Sequence, residues 1–184
     1  MKRTRHDRES PRSARRESTR RSGDQHCLWC PAKIVSGGQT GVDRAGLDVA
    51  IQLGIQHGGW CPGGRLAEDG SVPSRYVLEE MPTRDYAART LQNVIDSDAT
   101  LILYRHRIRG GTLLTKNVAL QHARPVLLVR LDASWEVHHV LDWLQRNQPD
   151  VLNIAGPRES GSPGIYDAAL SALMRIMDAA LFPR

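Results

Sequence analysis

Three glycine-containing turns, each placed after a predicted strand, are the residues of this chain whose types and spacing suggest chemistry. The motif SGGQTG at residues 36–41 follows an apolar run at 33–35, GGT at 110–112 follows 101–104, and AGPRES at 155–160 follows 151–154. In an open parallel sheet such turns gather at the carboxyl ends of the strands, where glycine lets a ligand approach the backbone and helix N-termini attract anions. The pattern therefore predicts a ligand that carries phosphate.

The first turn matches neither of the common nucleotide motifs. Its spacing differs from the dinucleotide fingerprint, and no Lys-Ser/Thr pair follows its last glycine as it would in a P-loop. Its backbone N–H groups could form an anion-binding nest, to which the following helix and a threonine hydroxyl would add. The alternative is a tight turn in which glycine only relieves crowding. The candidate binding residues are Gly37, Gly38, Gln39, Thr40 and Gly41.

The second and third turns strengthen the prediction of a ligand site, because packing alone does not explain three such turns at one edge. Gly110, Gly111 and Thr112 begin a predicted helix, with Thr112 a candidate N-cap. The third turn has Gly156 and Ser160 on either side of Arg158, whose guanidinium can hold phosphate by two hydrogen bonds. The alternative for Arg158 is a solvated surface residue.

A long segment rich in glycine and proline, residues 61–82, adds charged candidates. Arg65 is a further candidate for ligand binding. Glu68 and Asp69 are candidate catalytic residues, because a carboxylate there could act as a general acid or base or could bind a ribose hydroxyl or a pterin amine. The alternative is a surface loop whose charges face water, and it is about equally compatible with the sequence.

Apolar runs that alternate with helical patterns indicate the elements that must position these turns. The alternation predicts an α/β fold, a Rossmann-like open parallel sheet of about five strands with helices on both faces. We expect the helix after the first turn to end at Gly54 and a helix at 83–97 to direct Leu91 inward. Further strands are predicted at 55–60, 99–104, 125–130 and 151–155, and further helices after 110, at 134–145 and at 164–181.

Charge and length divide the 184 residues into two parts. Residues 1–22 contain nine of the 25 Lys and Arg residues but three of the 20 Asp and Glu residues, so the remainder has a formal charge near −1. We predict a basic, disordered extension at 1–31 and a single Rossmann-like ligand-binding domain at 32–184. Nucleic acid would be a partner only through the basic extension, for which we favour the alternative of a nonessential tail or an unused upstream start.

Apolar content and cysteines exclude some classes of protein. No stretch approaches the roughly 20 apolar residues that cross a bilayer, and we expect a cytoplasmic protein with no membrane partner. Three cysteines do not make a disulfide framework. Cys27 and Cys30 beside His26 could supply three zinc ligands, but no second cysteine pair completes a tetrahedron, so no metal site is predicted.

Together these motifs resemble those of the putative molybdenum carrier family, over about residues 33–182. The resemblance rests on IVSGGQTGVDRA at 34–45, WCPGGR at 60–65 with AEDG at 67–70, RT at 89–90 with NV at 93–94, GGT at 110–112 and NIAGPRES at 153–160. That family is grouped with a circularly permuted branch of the SLOG superfamily, whose Rossmann-like members bind nucleotides and include the lysine-decarboxylase-like phosphoribohydrolases.

The resemblance implies a binding protein for a phosphorylated ligand, with molybdenum cofactor (molybdopterin) or a nucleotide as that ligand. It further implies a homo-oligomer and, for a carrier or storage protein, molybdoenzymes as partners. The alternative functions are a nucleotide-processing enzyme of the phosphoribohydrolase type and a nucleotide sensor. Phosphoribohydrolases have Pro-Gly-Gly-x-Gly-Thr-x-x-Glu, whereas here Pro62, Gly63 and Gly64 are followed by RLAE without the glycine-threonine step.

Overall fold

The computed structural model describes residues 29–182, which form nine strands and five helices. The strands are β1 (Lys33–Val35), β2 (Gln56–Gly58), β3 (Trp60–Cys61), β4 (Leu66–Ala67), β5 (Gly70–Ser71), β6 (Glu79–Glu80), β7 (Ala99–Tyr104), β8 (Val126–Arg130) and β9 (Val151–Ala155). The helices are α1 (Val42–Leu53), α2 (Tyr86–Ile95), α3 (Gly110–Gln121), α4 (Val137–Asn147) and α5 (Ile165–Leu181).

Five strands form the main sheet in the order β2-β1-β9-β7-β8. Every neighbouring pair is parallel; Lys33, for example, lies opposite both Gln56 of β2 and Val151 of β9. The predicted fold class, a Rossmann-like open parallel sheet of five strands with helices on both faces, is confirmed. The central strand β9 is the last strand in the sequence, and it lies between β1 and β7.

The helices cover both faces because the crossovers run in opposite directions along the sheet. The steps from β1 to β2 and from β8 to β9 go one way, and right-handed crossovers place α1 and α4 on one face. The steps from β2 to β7 and from β7 to β8 go the other way and place α2 and α3 on the opposite face. Helix α5 packs against α1 and α4, and these three share the main hydrophobic core with the sheet.

Three local details differ from the sequence prediction. Helix α2 begins later than expected because the Asp85 side chain caps it by accepting a hydrogen bond from the Ala87 N–H. Leu91 is 38% exposed rather than directed inward. The predicted N-cap Thr112 lies inside α3, whose N-cap is Arg109, so Thr112 is buried in the first turn.

The long segment between β2 and α2 has more order than its composition suggests. Strands β3 and β6 pair in parallel, β4 and β5 form a hairpin, and Val72, Tyr76 and Leu78 form a second small core with Leu47 and Cys61. Arg65 fixes this segment, because its guanidinium donates to four backbone carbonyls at distances of 2.9–3.3 Å: those of Val72, Pro73, Tyr76 and Leu78.

Two further predictions concern the N-terminal extension and membrane-spanning helices. The extension predicted at 1–31 falls, up to residue 28, outside the described residues, as does the Cys27 half of the cysteine pair. Across residues 29–182, no helix has the length and apolar character needed to cross a membrane.

Candidate functional site

The three glycine turns meet at one edge of the sheet, around a cavity of about 830 Å³. They follow β1, β7 and β9, which are adjacent and parallel, so their carboxyl ends point to the same side. This is the edge at which open α/β sheets bind ligands. The volume lies within the range of about 300–1,000 Å³ that is typical of small-molecule sites.

Seven of the fourteen candidates from the sequence line this cavity. They are Gln39, Gly110, Gly111, Thr112, Gly156, Arg158 and Ser160. The other seven do not line it and have packing or hydrogen-bonding roles nearby: Gly37, Gly38, Thr40, Gly41, Arg65, Glu68 and Asp69. All three turns therefore contribute to the cavity, but the first does so through Gln39 alone.

The glycines of the first turn allow close packing against neighbouring segments of the chain. Gly38 has φ +74°, and a Cβ atom there would lie 2.6 Å from Leu78 Cδ1. Gly41 has φ +77°, and a Cβ atom there would lie 2.5 Å from the Pro157 carbonyl oxygen. A substitution at either position would strain the fold, so neither position separates ligand binding from stability.

Gly37 makes room for a buried ion pair at the cavity floor. A Cβ atom on Gly37 would overlap the Arg89 guanidinium, whose Nη1 lies 3.3 Å from Asp43 Oδ2. The Asp43 side chain is 7% exposed and the Arg89 side chain 13%. Arg89 Nε is buried and has no hydrogen-bond partner among the described residues. This pair gives the floor one fixed cation and one carboxyl group.

The pKa of Asp43 is raised above its ordinary value of 3.8. Burial is the dominant cause, and it outweighs the opposing effects of the Arg89 charge, the Gln39 N–H and the more distant Arg158. Asp43 lines the cavity, whereas the predicted catalytic carboxylates do not. Asp43 is not among the site residues predicted from the sequence, although its position in the first turn of α1 after SGGQTG is the signal that could have found it.

Glu68 links the first turn to the third. Its carboxylate accepts hydrogen bonds from the hydroxyls of Thr40 and Ser160, and from the Ser160 backbone N–H at 3.2 Å. Partial burial would raise the pKa of Glu68, but these hydrogen bonds and the Arg158 charge lower it below 4.5. A carboxylate held in this way stays ionised and holds the two turns together.

Asp69 forms an ion pair with Arg44 of α1, with oxygen–nitrogen distances of 2.6 and 2.8 Å. The hydrogen bonds from Arg44 lower the pKa of Asp69. The hairpin that carries both carboxylates is also tied to the first turn, because Gln39 Nε2 donates to the Leu66 carbonyl at 2.8 Å. Glu68 and Asp69 thus fasten the β4–β5 hairpin over the first turn.

Arg158 in the third turn stacks on an aromatic ring at the cavity wall. Its guanidinium carbon lies 4.6 Å from the centre of the Tyr86 ring, a distance typical of a cation–π contact. Tyr86 is 36% exposed, so part of the ring remains open to the cavity. The pair presents a cation and a planar surface side by side.

Helix α3 directs its N-terminus into the cavity without a side-chain cap. Its N-cap is Arg109, Gly110 has φ +49°, and no side chain within residues 29–182 caps the first turn. Uncapped N–H groups and the helix dipole favour an anion at this position. Gly111 has open space where a Cβ atom would be, so the backbone is accessible to a ligand.

Arginines dominate the charge of the cavity. Five line it, against the two carboxyl groups of Asp43 and Asp85: Arg89, Arg105, Arg107, Arg109 and Arg158. Arg158 is among the residues predicted from the sequence, but the three arginines of the RHRIR run at 105–109, which follows β7 directly, are not. The rule that located the glycine turns, a position just after a parallel strand, would have found them.

No cluster of three or more metal-ligating side chains occurs within residues 29–182. Cys61, in the segment that follows the first turn, is fully buried in the second small core, and burial raises its pKa. The lining of the cavity is thus rich in arginine and includes one aromatic ring.

Comparisons with known proteins agree with this fold. Residues 34–177 match the family model described as the circularly permutated YpsA SLOG family. The 1.45 Å crystal structure of a protein from Syntrophus aciditrophicus SB, described as a putative molybdenum carrier protein, is 47% identical, with a TM-score of 0.77 over 80% of this chain and 94% of that one. No curated protein matches the sequence. The chain belongs to the circularly permutated YpsA SLOG family.

Proposed function

We propose that this chain is a carrier or storage protein for molybdenum cofactor, which it binds through the cofactor's phosphate. The observation that carries the proposal is the cavity at the carboxyl edge of the sheet, lined by three glycine turns and five arginines. The choice of molybdenum cofactor is supported by the 47% identical protein described as a putative molybdenum carrier protein.

Particular groups suit particular parts of such a ligand. Arg158 can hold the phosphate by two parallel hydrogen bonds, beside the N-terminus of α3. The open part of the Tyr86 ring offers a stacking surface for a pterin. The dithiolene of the cofactor supplies the molybdenum ligands, so the proposal requires no metal ligand from the protein.

A carrier must also release its cargo. We propose that molybdoenzymes are the recipients, that the protein acts in the cytoplasm and that it is a homo-oligomer. Light scattering of the purified chain measures the oligomer, and transfer is measured as activation of an added apo-molybdoenzyme by the loaded carrier.

The first test identifies the ligand that co-purifies with the full chain. Protein is produced in a molybdate-supplied bacterial host, denatured, and analysed by mass spectrometry for the released ligand and by elemental analysis for molybdenum. We expect a pterin phosphate with stoichiometric molybdenum, lost in Arg158→Gln but retained in Arg146→Gln, which removes an exposed cation of α4. A nucleotide without molybdenum would refute the cofactor assignment.

A second candidate is a nucleotide-processing enzyme of the phosphoribohydrolase type. It is favoured by Asp43, a carboxyl group that lines the cavity and whose raised pKa suits a general acid. Incubation of the purified chain with nucleoside monophosphates, followed by chromatography for free base, tests it. Turnover that disappears in Asp43→Asn, with binding retained, would favour the enzyme over the carrier.

A further inference from the structure

The cavity has more positive charge than one phosphate group can neutralise. Five arginines and two aspartates line it, a formal surplus of three positive charges. A phosphate monoester contributes a charge of about −1.5 to −2 at neutral pH. A ligand with a single phosphate would therefore leave part of the lining uncompensated.

Four of the five arginines belong to two groups on different elements. Arg89 and Arg158 lie in α2 and the third turn, and each already has a partner: the Asp43 carboxyl group and the Tyr86 ring. Arg107 and Arg109 lie in the loop between β7 and α3, are exposed, and form no ion pair within the described part of the chain. The second group is thus available for a further anion.

The loop that carries the second group is anchored at its base. The His106 backbone N–H donates to Asp132 Oδ1 at 2.9 Å, and Arg105 Nη1 donates to the Pro163 carbonyl at 3.1 Å. Asp132, the carboxylate nearest to the loop in these contacts, is occupied by Arg130 and His106. Arg107 and Arg109 therefore flank the uncapped start of α3 without competition from this acid.

We propose that the ligand is a diphosphate ester, with one phosphate at Arg158 and the third turn and the second at the α3 N-terminus between Arg107 and Arg109. The proposal rests on the proposed function, in which this cavity binds a phosphorylated ligand, and specifies the class of that ligand: a pterin dinucleotide would satisfy both, whereas a nucleoside diphosphate would satisfy only the diphosphate assignment. A nucleoside diphosphate and a pterin dinucleotide share this chemistry.

The test compares matched ligands that differ by one phosphate. Calorimetry on the full chain, freed of ligand and without divalent cations, measures the affinities of AMP and ADP, and of phosphate and pyrophosphate. We expect ADP to bind about tenfold or more tightly than AMP, because the second phosphate gains charge-assisted hydrogen bonds. Pyrophosphate should likewise bind more tightly than phosphate.

Substitutions in the loop between β7 and α3 test whether its arginines cause the preference for ADP over AMP. In the Arg107→Gln/Arg109→Gln protein we expect the ADP-to-AMP affinity ratio to fall to within about threefold of unity. Arg146→Gln removes a positive charge of α4 that does not line the cavity, and it should leave the ADP-to-AMP affinity ratio as in the wild type. Circular dichroism confirms that each variant is folded.

The outcomes separate this inference from the proposed function. Equal binding of AMP and ADP by the wild type, or a ratio that survives in the double variant, overturns the diphosphate assignment and leaves an anion-binding site intact. Absence of binding by all four probes overturns the anion site itself. Mass spectrometry of the co-purified ligand distinguishes a nucleoside diphosphate from a pterin dinucleotide.

Discussion

Replacing Arg89 with methionine should destabilise the protein in a pH-dependent way. Methionine keeps much of the volume of the side chain but removes the guanidinium that lies on Gly37 and pairs with Asp43 at 3.3 Å. The Asp43 carboxyl group would then be buried without a counter-ion. Breaking a buried pair by removing one partner typically costs about 3–5 kcal/mol, because the remaining charge is uncompensated.

The size of the effect depends on pH because Asp43 can escape the cost by taking up a proton. Burial already raises the pKa of Asp43 above 3.8 in the folded protein, against the opposing charge of Arg89. A group whose pKa is raised on folding stabilises the fold below its unfolded pKa, and this stability is lost as pH rises through the folded pKa. Without Arg89 the pKa of Asp43 in the folded protein rises further. The free energy of unfolding therefore continues to fall to higher pH, by about 1.4 kcal/mol per pH unit.

Urea denaturation followed by circular dichroism at several pH values between 5 and 8 measures this difference. We expect the gap in free energy of unfolding between wild type and Arg89→Met to widen as pH rises. The gap between Asp43→Asn and Arg89→Met/Asp43→Asn, which both lack the titrating carboxyl group, should be flat. A gap in the single variant that is constant with pH would refute the view that the Arg89 charge holds down the pKa of the buried Asp43 carboxyl group.

Three further substitutions test the site. Glu68→Gln should cost about 1 kcal/mol at pH 7 in urea denaturation. Because the pKa of Glu68 is lowered on folding, the cost should shrink as pH falls below 4.5. A cost that stays constant with pH would contradict hydrogen bonding to an ionised Glu68 carboxylate. Tyr86→Ala should weaken ligand binding by about three- to tenfold in calorimetry, because it removes the ring beneath Arg158, whereas Tyr86→Phe should bind nearly as well as the wild type. An equal loss of affinity in the two variants would exclude stacking on the ring. Gly156→Ala, whose Cβ would overlap the Leu103 carbonyl, should cost about 1–3 kcal/mol, whereas Gly111→Ala has open space and should keep its melting temperature.

The strands could be predicted from the sequence because their signal is local. Strands β7 and β9 have the predicted bounds, since both are continuous apolar runs of the kind that a sheet covered on two faces requires. The end of α1 also follows a local rule, because Gly54 adopts the left-handed conformation with φ 67°. Adjacency of the three turns then follows from the parallel topology rather than from any one motif.

The roles of individual site residues were harder to predict, because they depend on partners far along the chain. Glu68 accepts hydrogen bonds from Thr40 and from Ser160, 28 and 92 residues away. Arg65 donates to carbonyls of its own segment, a role that composition cannot separate from ligand binding. Gly37 similarly leaves space for Arg89 of α2, and neither the sequence around Gly37 nor that around Arg89 predicts this contact.

Net charge gave little guidance to the ligand because the charges of this chain are segregated. Outside residues 1–22 the formal charge is near −1, yet the cavity is lined by five arginines and two aspartates. Acidic side chains elsewhere are occupied in binding other groups: Asp132 pairs with Arg130, and Asp48 accepts from Tyr76 and Tyr166. An almost neutral domain can thus concentrate positive potential at one edge of its sheet, and affinity for an anionic ligand should fall with ionic strength despite the small net charge.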